Sequence, residues 1–140
     1  MLISWSPHTH PISSMLQDTR ITLDGETCKD IGITVWRSQV LYVPQSRVPL
    51  TDTPEAFLTT LQSLHVNKHR TFCELAHIFA QLDLEPALVN APWSSLSAGQ
   101  AQRAYLACCV ATCPRVLLLD HPTSACCPVT ASLYVCLATS

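Results

Sequence analysis

Leu96-Ser97-Ala98-Gly99-Gln100-Ala101-Gln102-Arg103 and, a short way further on, Val116-Leu117-Leu118-Leu119-Asp120-His121-Pro122-Thr123-Ser124-Ala125 decide the fold. Ser97 is a good helix N-cap, because its hydroxyl can accept from a backbone N–H that has no partner within the first turn. The helix that starts there runs through Gln100, Arg103, Ala104, Ala107 and Cys108 and stops before Pro114, which cannot continue it. Val116 to Leu119 is then an unbroken apolar run of the kind found in a parallel strand buried on both faces, and it ends on the carboxylate of Asp120. A helix feeding a buried strand with a carboxylate at its carboxyl end predicts an α/β sheet, and such sheets bind ligands at the carboxyl ends of their strands.

Working outward, Thr71 and Glu74 are spaced as a capping box, and Phe72, Leu75, Ala76, Phe79 and Leu82 after them keep the helical period. Thr53-Pro54-Glu55 offers an N-cap, a proline at the first helical position and an acid in the first turn, opening an amphipathic helix through Phe57, Leu58, Leu61 and Leu64. Val40 to Val43 (VLYV), halted by Pro44, reads as a strand, and so does Arg20 to Leu23 (RITL), ended by the turn pair Asp24-Gly25. Residues 1–19 have no period and hold Pro7, His8, His10 and Pro11, so they are expected to form a disordered or irregular lead-in. A last helix is expected near Pro128. The organisation read from these signals is a single α/β unit over 20–140, with a helical subdomain at about 53–95.

The chain has 140 residues, of which 48% are hydrophobic and only 13% charged, a balance that excludes disorder by composition and leaves a sparsely charged surface. With Lys+Arg 8 against Asp+Glu 10 and no basic run, a nucleic-acid partner is excluded. The longest apolar run, Ala104 to Ala111, is far short of the roughly 20 residues needed to cross a bilayer. The first basic residue is Arg20, so the opening lacks the charged start of a secretory signal, and a cytoplasmic location is expected. In that setting the eight cysteines are read as reduced thiols.

The two stretches quoted first, in this order, resemble the nucleotide-binding domain of ABC (ATP-binding cassette) transporters. Leu96 to Gln100 (LSAGQ) is similar to the LSGGQ signature, Val116 to Ala125 resembles the Walker B strand and its D-loop, and Val43-Pro44-Gln45 resembles the Q-loop. The resemblance spans roughly residues 20–130 and looks most like stand-alone cassettes that partner a separate membrane subunit. It implies a partial P-loop NTPase sheet with a helical subdomain, and ATP binding and hydrolysis coupled to transport. By the same resemblance Ser97, Ala98, Gly99 and Gln100 would contact the γ-phosphate of ATP, Asp120 and Gln45 would serve Mg²⁺, and His121 stands where the family places its catalytic glutamate. The physics agrees with such roles: a helix start offers free N–H groups and positive dipole to an anion, and a strand-end carboxylate can orient Mg²⁺. Each residue also has a plainer reading, with Ser97 an N-cap alone, Asp120 a strand-end acid and Gln45 a loop amide.

The departures from the family pattern are as informative. A Walker A loop needs two glycines five apart followed by Lys and Ser or Thr, so that backbone N–H groups can approach phosphates with no Cβ in the way. The three glycines are Gly25, Gly32 and Gly99, and neither Lys29 nor Lys68 follows one. The strand that carries the family's switch histidine is likewise not found after Asp120. Imidazole at His121 can accept a proton but lacks the carboxylate's negative charge. Cys126-Cys127 replaces the Leu-Asp that normally continues the D-loop. Without the central P-loop strand, Val116 to Leu119 is expected to have an unpaired or uncovered side.

Other constellations carry less. Cys108, Cys109, Cys113, Cys126 and Cys127 cluster in sequence without a C-x-x-C, and are read as small buried hydrophobes rather than a zinc site. His65, His69, Cys73 and His77 recur every four residues and are read as a solvated helix face, which Asn67-Lys68 interrupts. Two functions stay open at this stage. One is an ABC-type ATP-binding subunit, impaired in catalysis, whose signature completes ATP held by another cassette chain. The other is a non-catalytic module that docks on a membrane transporter subunit through the Gln45 region, or a truncated product with no function.

Overall fold

The computed structural model describes residues 2–5, 21–44 and 50–120, with backbone alone at 2–5 and 120. Strand β1 (Leu2–Trp5) is followed by a hairpin of β2 (Thr22–Leu23) and β3 (Glu26–Thr27). Asp24 and Gly25 between them have φ of 53° and 87°. Two successive left-handed residues give a turn whose twist matches the paired strands, and glycine adopts that conformation without a Cβ penalty. Thr27 caps the short helix α1 (Cys28–Ile31), and Gly32, at φ 90°, turns the chain into α2 (Ile33–Gln39). Trp36 of α2 is buried with Leu23 and Cys28 in a small cluster that packs on Val40 and Val116. Neither α1 nor α2 is foreseen by the sequence reading.

The central sheet is parallel, in the order β1–β5–β4, where β4 is Val40–Val43 and β5 is Val116–Asp120. Leu2 faces Leu117 and Trp5 faces Asp120 on one side; Val40 faces Val116 and Val43 faces Leu119 on the other. Two sequence expectations are corrected here. Residues 2–5, placed in an irregular lead-in, form a strand, because the Leu-Ile-Ser-Trp run pairs its backbone along β5. For the same reason β5 is no edge strand: both of its sides are hydrogen-bonded. Its faces differ, with Leu117 and Leu119 buried and Val116 and Leu118 half-buried.

From β4 the chain crosses to β5 through helices. Helix α3 (Pro54–Ser63) begins as read: the Thr53 hydroxyl accepts from the Ala56 N–H at 3.1 Å, and Pro54 fills the first turn. A 3₁₀ turn at His65–Asn67 ends this segment, anchored by the buried Asn67, whose amide donates to the Leu61 carbonyl at 2.8 Å. Helix α4 is Leu75–Gln81, capped at Glu74 with no side-chain bond, so the capping box expected at Thr71 is absent. The competing interaction is tertiary: the Cys73 N–H donates to the Ala111 carbonyl at 2.9 Å, and residues 71–74 run without helix beside the end of the next helix. The His65, His69, Cys73, His77 stripe is therefore spread over a 3₁₀ turn, a turn, an irregular stretch and a helix rather than along one helix face.

Short 3₁₀ turns at Pro86–Asn90 and Trp93–Ser95 lead to α5 (Ala98–Ala111). This helix is the hub of the core. Ala101, Ala104, Leu106, Ala107, Cys108, Cys109 and Ala111 are buried, and they join Leu58, Leu75, Ile78, Phe79, Trp93 and the sheet residues Val43, Leu117 and Leu119 in one cluster. Small side chains along α5 allow the neighbouring elements to approach closely, which is why its apolar pattern looks weak in sequence yet packs densely. The helix expected near Pro128 lies outside the described residues.

Burial governs the thiols on α5. It pushes the Cys109 thiol up to about 12 from an ordinary value near 9, and raises Cys108 as well. An unfolded chain loses these protons above pH 9 while the folded chain keeps them, so stability is full below about pH 9 and falls as pH rises from there. The loss is up to about 1.4 kcal/mol per unit for each thiol. Urea titrations under reductant between pH 8 and 11 are expected to show this decline, and Cys109→Ala to flatten it; an unchanged slope in the variant would contradict the assignment.

Candidate functional site

Four of the residues singled out from the sequence lie together at the start of α5. Ser97 is the N-cap, and with Gln100 it makes a reciprocal pair: the Gln100 N–H donates to Ser97 Oγ at 3.3 Å, and the Ser97 N–H donates to Gln100 Oε1 at 2.9 Å. The Ala101 N–H reaches the Ser97 carbonyl at 2.8 Å. Among the described residues, the N–H groups of Ala98 and Gly99 have no acceptor. Ser97 and Ala98 are exposed and Gly99 is half-buried. With Ser97 and Ala98 exposed, the helix start offers these donors and its positive dipole end. A helix start of this kind can receive an anion.

Asp120 ends β5, its backbone in register with Trp5 of β1. Gln45 and His121 lie outside the described residues, as do Cys126 and Cys127. The last described residue before Gln45, Pro44, is held to α5: Gln102 Nε2 donates to the Pro44 carbonyl at 2.7 Å. The helix that starts at Ser97 is thus fastened directly to the end of β4, where the Q-loop resemblance lies.

Arginines that motif reading passes over fix the rest. Arg103 Nη1 donates to the carbonyls of Leu82 at 3.2 Å and Asp83 at 3.0 Å, filling the open end of α4 with a positive charge. Its ion pair with Asp83, whose side chain is 89% exposed, adds little. Arg70 bridges three segments: its guanidinium donates to the carbonyls of Ser38, Thr112 (2.7 Å) and Cys113 (3.1 Å), and to Asn67 Oδ1 at 3.3 Å. It ties α2 and the Asn67 turn to the end of α5. A lone arginine between His69 and Thr71 carries no pattern from which this could be read. Arg115 pairs with Asp24 and donates to Gln39 at 3.4 Å, joining the hairpin to the entry of β5.

Of the clustered cysteines, Cys108 and Cys109 are buried as read, but Cys113 is exposed and faces Cys73. No group of three or more potential metal ligands occurs among the described residues. No helix among them is long and apolar enough to cross a membrane.

This parallel sheet with a signature-like helix start beside it has a counterpart of known structure. An ATP-binding subunit of an ABC transporter superposes with a TM-score of 0.68 over 97% of this chain and 60% of its own, at 15% sequence identity, and so shares the P-loop NTPase fold. The sequence pattern that defines ABC transporters matches residues 9–124, beginning within the stretch read as lead-in. The chain belongs to the ABC transporter family and is of its ATP-binding, nucleotide-binding-domain type. Protein STAR1 of Oryza sativa subsp. japonica is 50% identical over 62 residues, 44% of this chain and 18% of that protein. Ribose import ATP-binding protein RbsA 2 of Rhizobium johnstonii is 31% identical over 130 residues, 82% of this chain and 24% of that protein. The corresponding RbsA 3 of Rhizobium etli is 30% identical over 132 residues. The chain spans less than a quarter of the length of these relatives.

Proposed function

We propose that this chain is the signature-bearing half of a composite ATP site, in which the start of α5 closes on the γ-phosphate of ATP held by the Walker A loop of another cassette chain. The observation that carries the reading is the pair of N–H groups at Ala98 and Gly99, without an acceptor among the described residues, beside the exposed Ser97 on a helix start capped by the Ser97–Gln100 pair. The sequence holds no G-x-x-x-x-G-K-[ST] segment, so in this reading the phosphate cradle is the other chain's. Asp120 and Gln45, at the positions the family gives to Mg²⁺, and His121, at its water-activating position, would serve nucleotide bound on this chain itself and not the ATP that α5 completes. The Gln102 bond to Pro44 gives α5 a direct mechanical link to the Gln45 segment, the region through which a membrane transporter subunit would sense the nucleotide. Such a pairing implies a cytoplasmic location at the membrane.

The isolated chain is expected neither to bind Mg·ATP tightly nor to hydrolyse it. Titration calorimetry should show no binding near a micromolar Kd, which corresponds to about −8 kcal/mol. His121→Glu should not restore turnover, because a base cannot act on phosphates that nothing holds. A clear gain from that change alone would mean that the chain does contain a phosphate cradle. The reading itself is tested by adding the chain to a complete ABC cassette whose own signature has been inactivated: its ATPase should rise with added chain, and a flat response would refute the role in trans.

A further inference from the structure

Cys73 and Cys113 are the exposed cysteines among the described residues, and they face each other. Their sulfurs are 2.8 Å apart across a gap of forty residues in sequence. Several independent contacts hold them there. The Cys73 N–H donates to the Ala111 carbonyl at 2.9 Å, the Cys113 N–H donates to the Val110 carbonyl at 2.8 Å, and Arg70 grips the carbonyls of Thr112 and Cys113. Cys113 also has φ 49°, the left-handed conformation that closes a helix and that glycine usually supplies. A side chain at this position is directed out of the helix end, toward residue 73. Cys28, Cys108 and Cys109 are buried, away from any reagent in solution.

We propose that Cys73 and Cys113 form an oxidisable dithiol, which a small-molecule disulfide of the glutathione class closes into a reversible crosslink between the approach to α4 and the end of α5. The step is two thiol–disulfide exchanges. One of the two thiolates attacks one sulfur of the small disulfide, forming a mixed disulfide and releasing one small thiolate. The other thiolate then attacks that cysteine's sulfur and releases the second. The small disulfide is reduced to two thiols, the two cysteines are oxidised to one disulfide, and their two protons pass to the departing thiolates. The 2.8 Å contact sets the second thiol against the first, so whichever cysteine takes up the small thiol, its neighbour is already placed to displace it. The crosslink would bind the helical crossover to the residues that enter β5, and it is independent of any nucleotide role.

The test uses the full chain with Cys126, Cys127 and Cys136 changed to serine, since those thiols lie outside the described residues. After incubation in oxidised glutathione and peptide mapping without reductant, the dominant crosslink should join Cys73 to Cys113. The thermal midpoint should rise by roughly 10 °C and return on reduction, as closing a loop of this length implies. Cys73→Ser should trap glutathione on Cys113, and Cys113→Ser should trap it on Cys73, with both variants checked for native circular dichroism. A dominant crosslink between any other pair, or no crosslink in excess oxidised glutathione, would overturn the proposal.

Discussion

Phe79→Ala is expected to destabilise the folded chain by about 3–5 kcal/mol, the range for truncating a buried aromatic residue whose surroundings cannot collapse into the gap. Phe79 is fully buried on α4, among residues of α5 and the sheet. Its carbonyl also accepts from the Leu84 N–H at 2.9 Å, so the turn that leaves α4 closes around it. Against a whole-domain margin of about 5–15 kcal/mol, a loss of that size moves the midpoint of urea unfolding far toward zero. Phe79→Leu keeps most of the buried area and should lose less, while Leu64→Ala, at a side chain 46% exposed, should change stability by no more than about 0.5 kcal/mol. Equal midpoints for Phe79→Ala and Leu64→Ala would mean that the cluster around α5 is not the cooperative core described above.

Legibility from sequence followed the range of the interaction concerned. Elements specified by local chemistry were read almost to the residue: Thr53-Pro54 opens α3, Ser97 caps α5, Asp24-Gly25 turns the hairpin, and β4 and β5 match their apolar runs. Elements specified by a distant partner were missed or misread. β1 is a strand because it lies along β5, more than a hundred residues away in sequence, and the proline- and histidine-rich stretch after it hides that pairing. The Thr71–Glu74 pattern has the right letters for a cap, yet a backbone bond from Cys73 to Ala111 commits the segment to the end of α5, and the helix starts only at Leu75. The same division runs through the site. The Ser97–Gly99 start is a local motif and was legible. The fastening by Gln102, Arg103 and Arg70 runs through single side chains reaching carbonyls in other segments, which no spacing rule encodes.

Ser97→Arg is expected to abolish stimulation of a partner cassette's ATPase, lowering it by about 100-fold or more, the scale on which losing preorganised donors to a developing anion is felt. The arginine side chain would occupy the space in front of the Ala98 and Gly99 N–H groups, where the γ-phosphate must approach. The substitution also removes the cap bond to Gln100, which is worth about 1 kcal/mol of helix stability. Ser97→Ala removes the same bond without filling the space, so the difference between the two variants isolates the phosphate contact from the cap. It should keep a substantial part of the stimulation and unfold at nearly the same urea concentration as Ser97→Arg. His121→Ala should leave stimulation almost intact, since in a composite site the residue after the Walker B aspartate serves nucleotide bound on its own chain. If the chain instead acts only by docking on a membrane subunit, all three variants should behave alike in the ATPase assay, and changes on α3 near Glu55 should weaken association. Equal loss from Ser97→Arg and His121→Ala would remove the basis for dividing the site between two chains, because residues with such different reach would then be failing through a shared defect in folding.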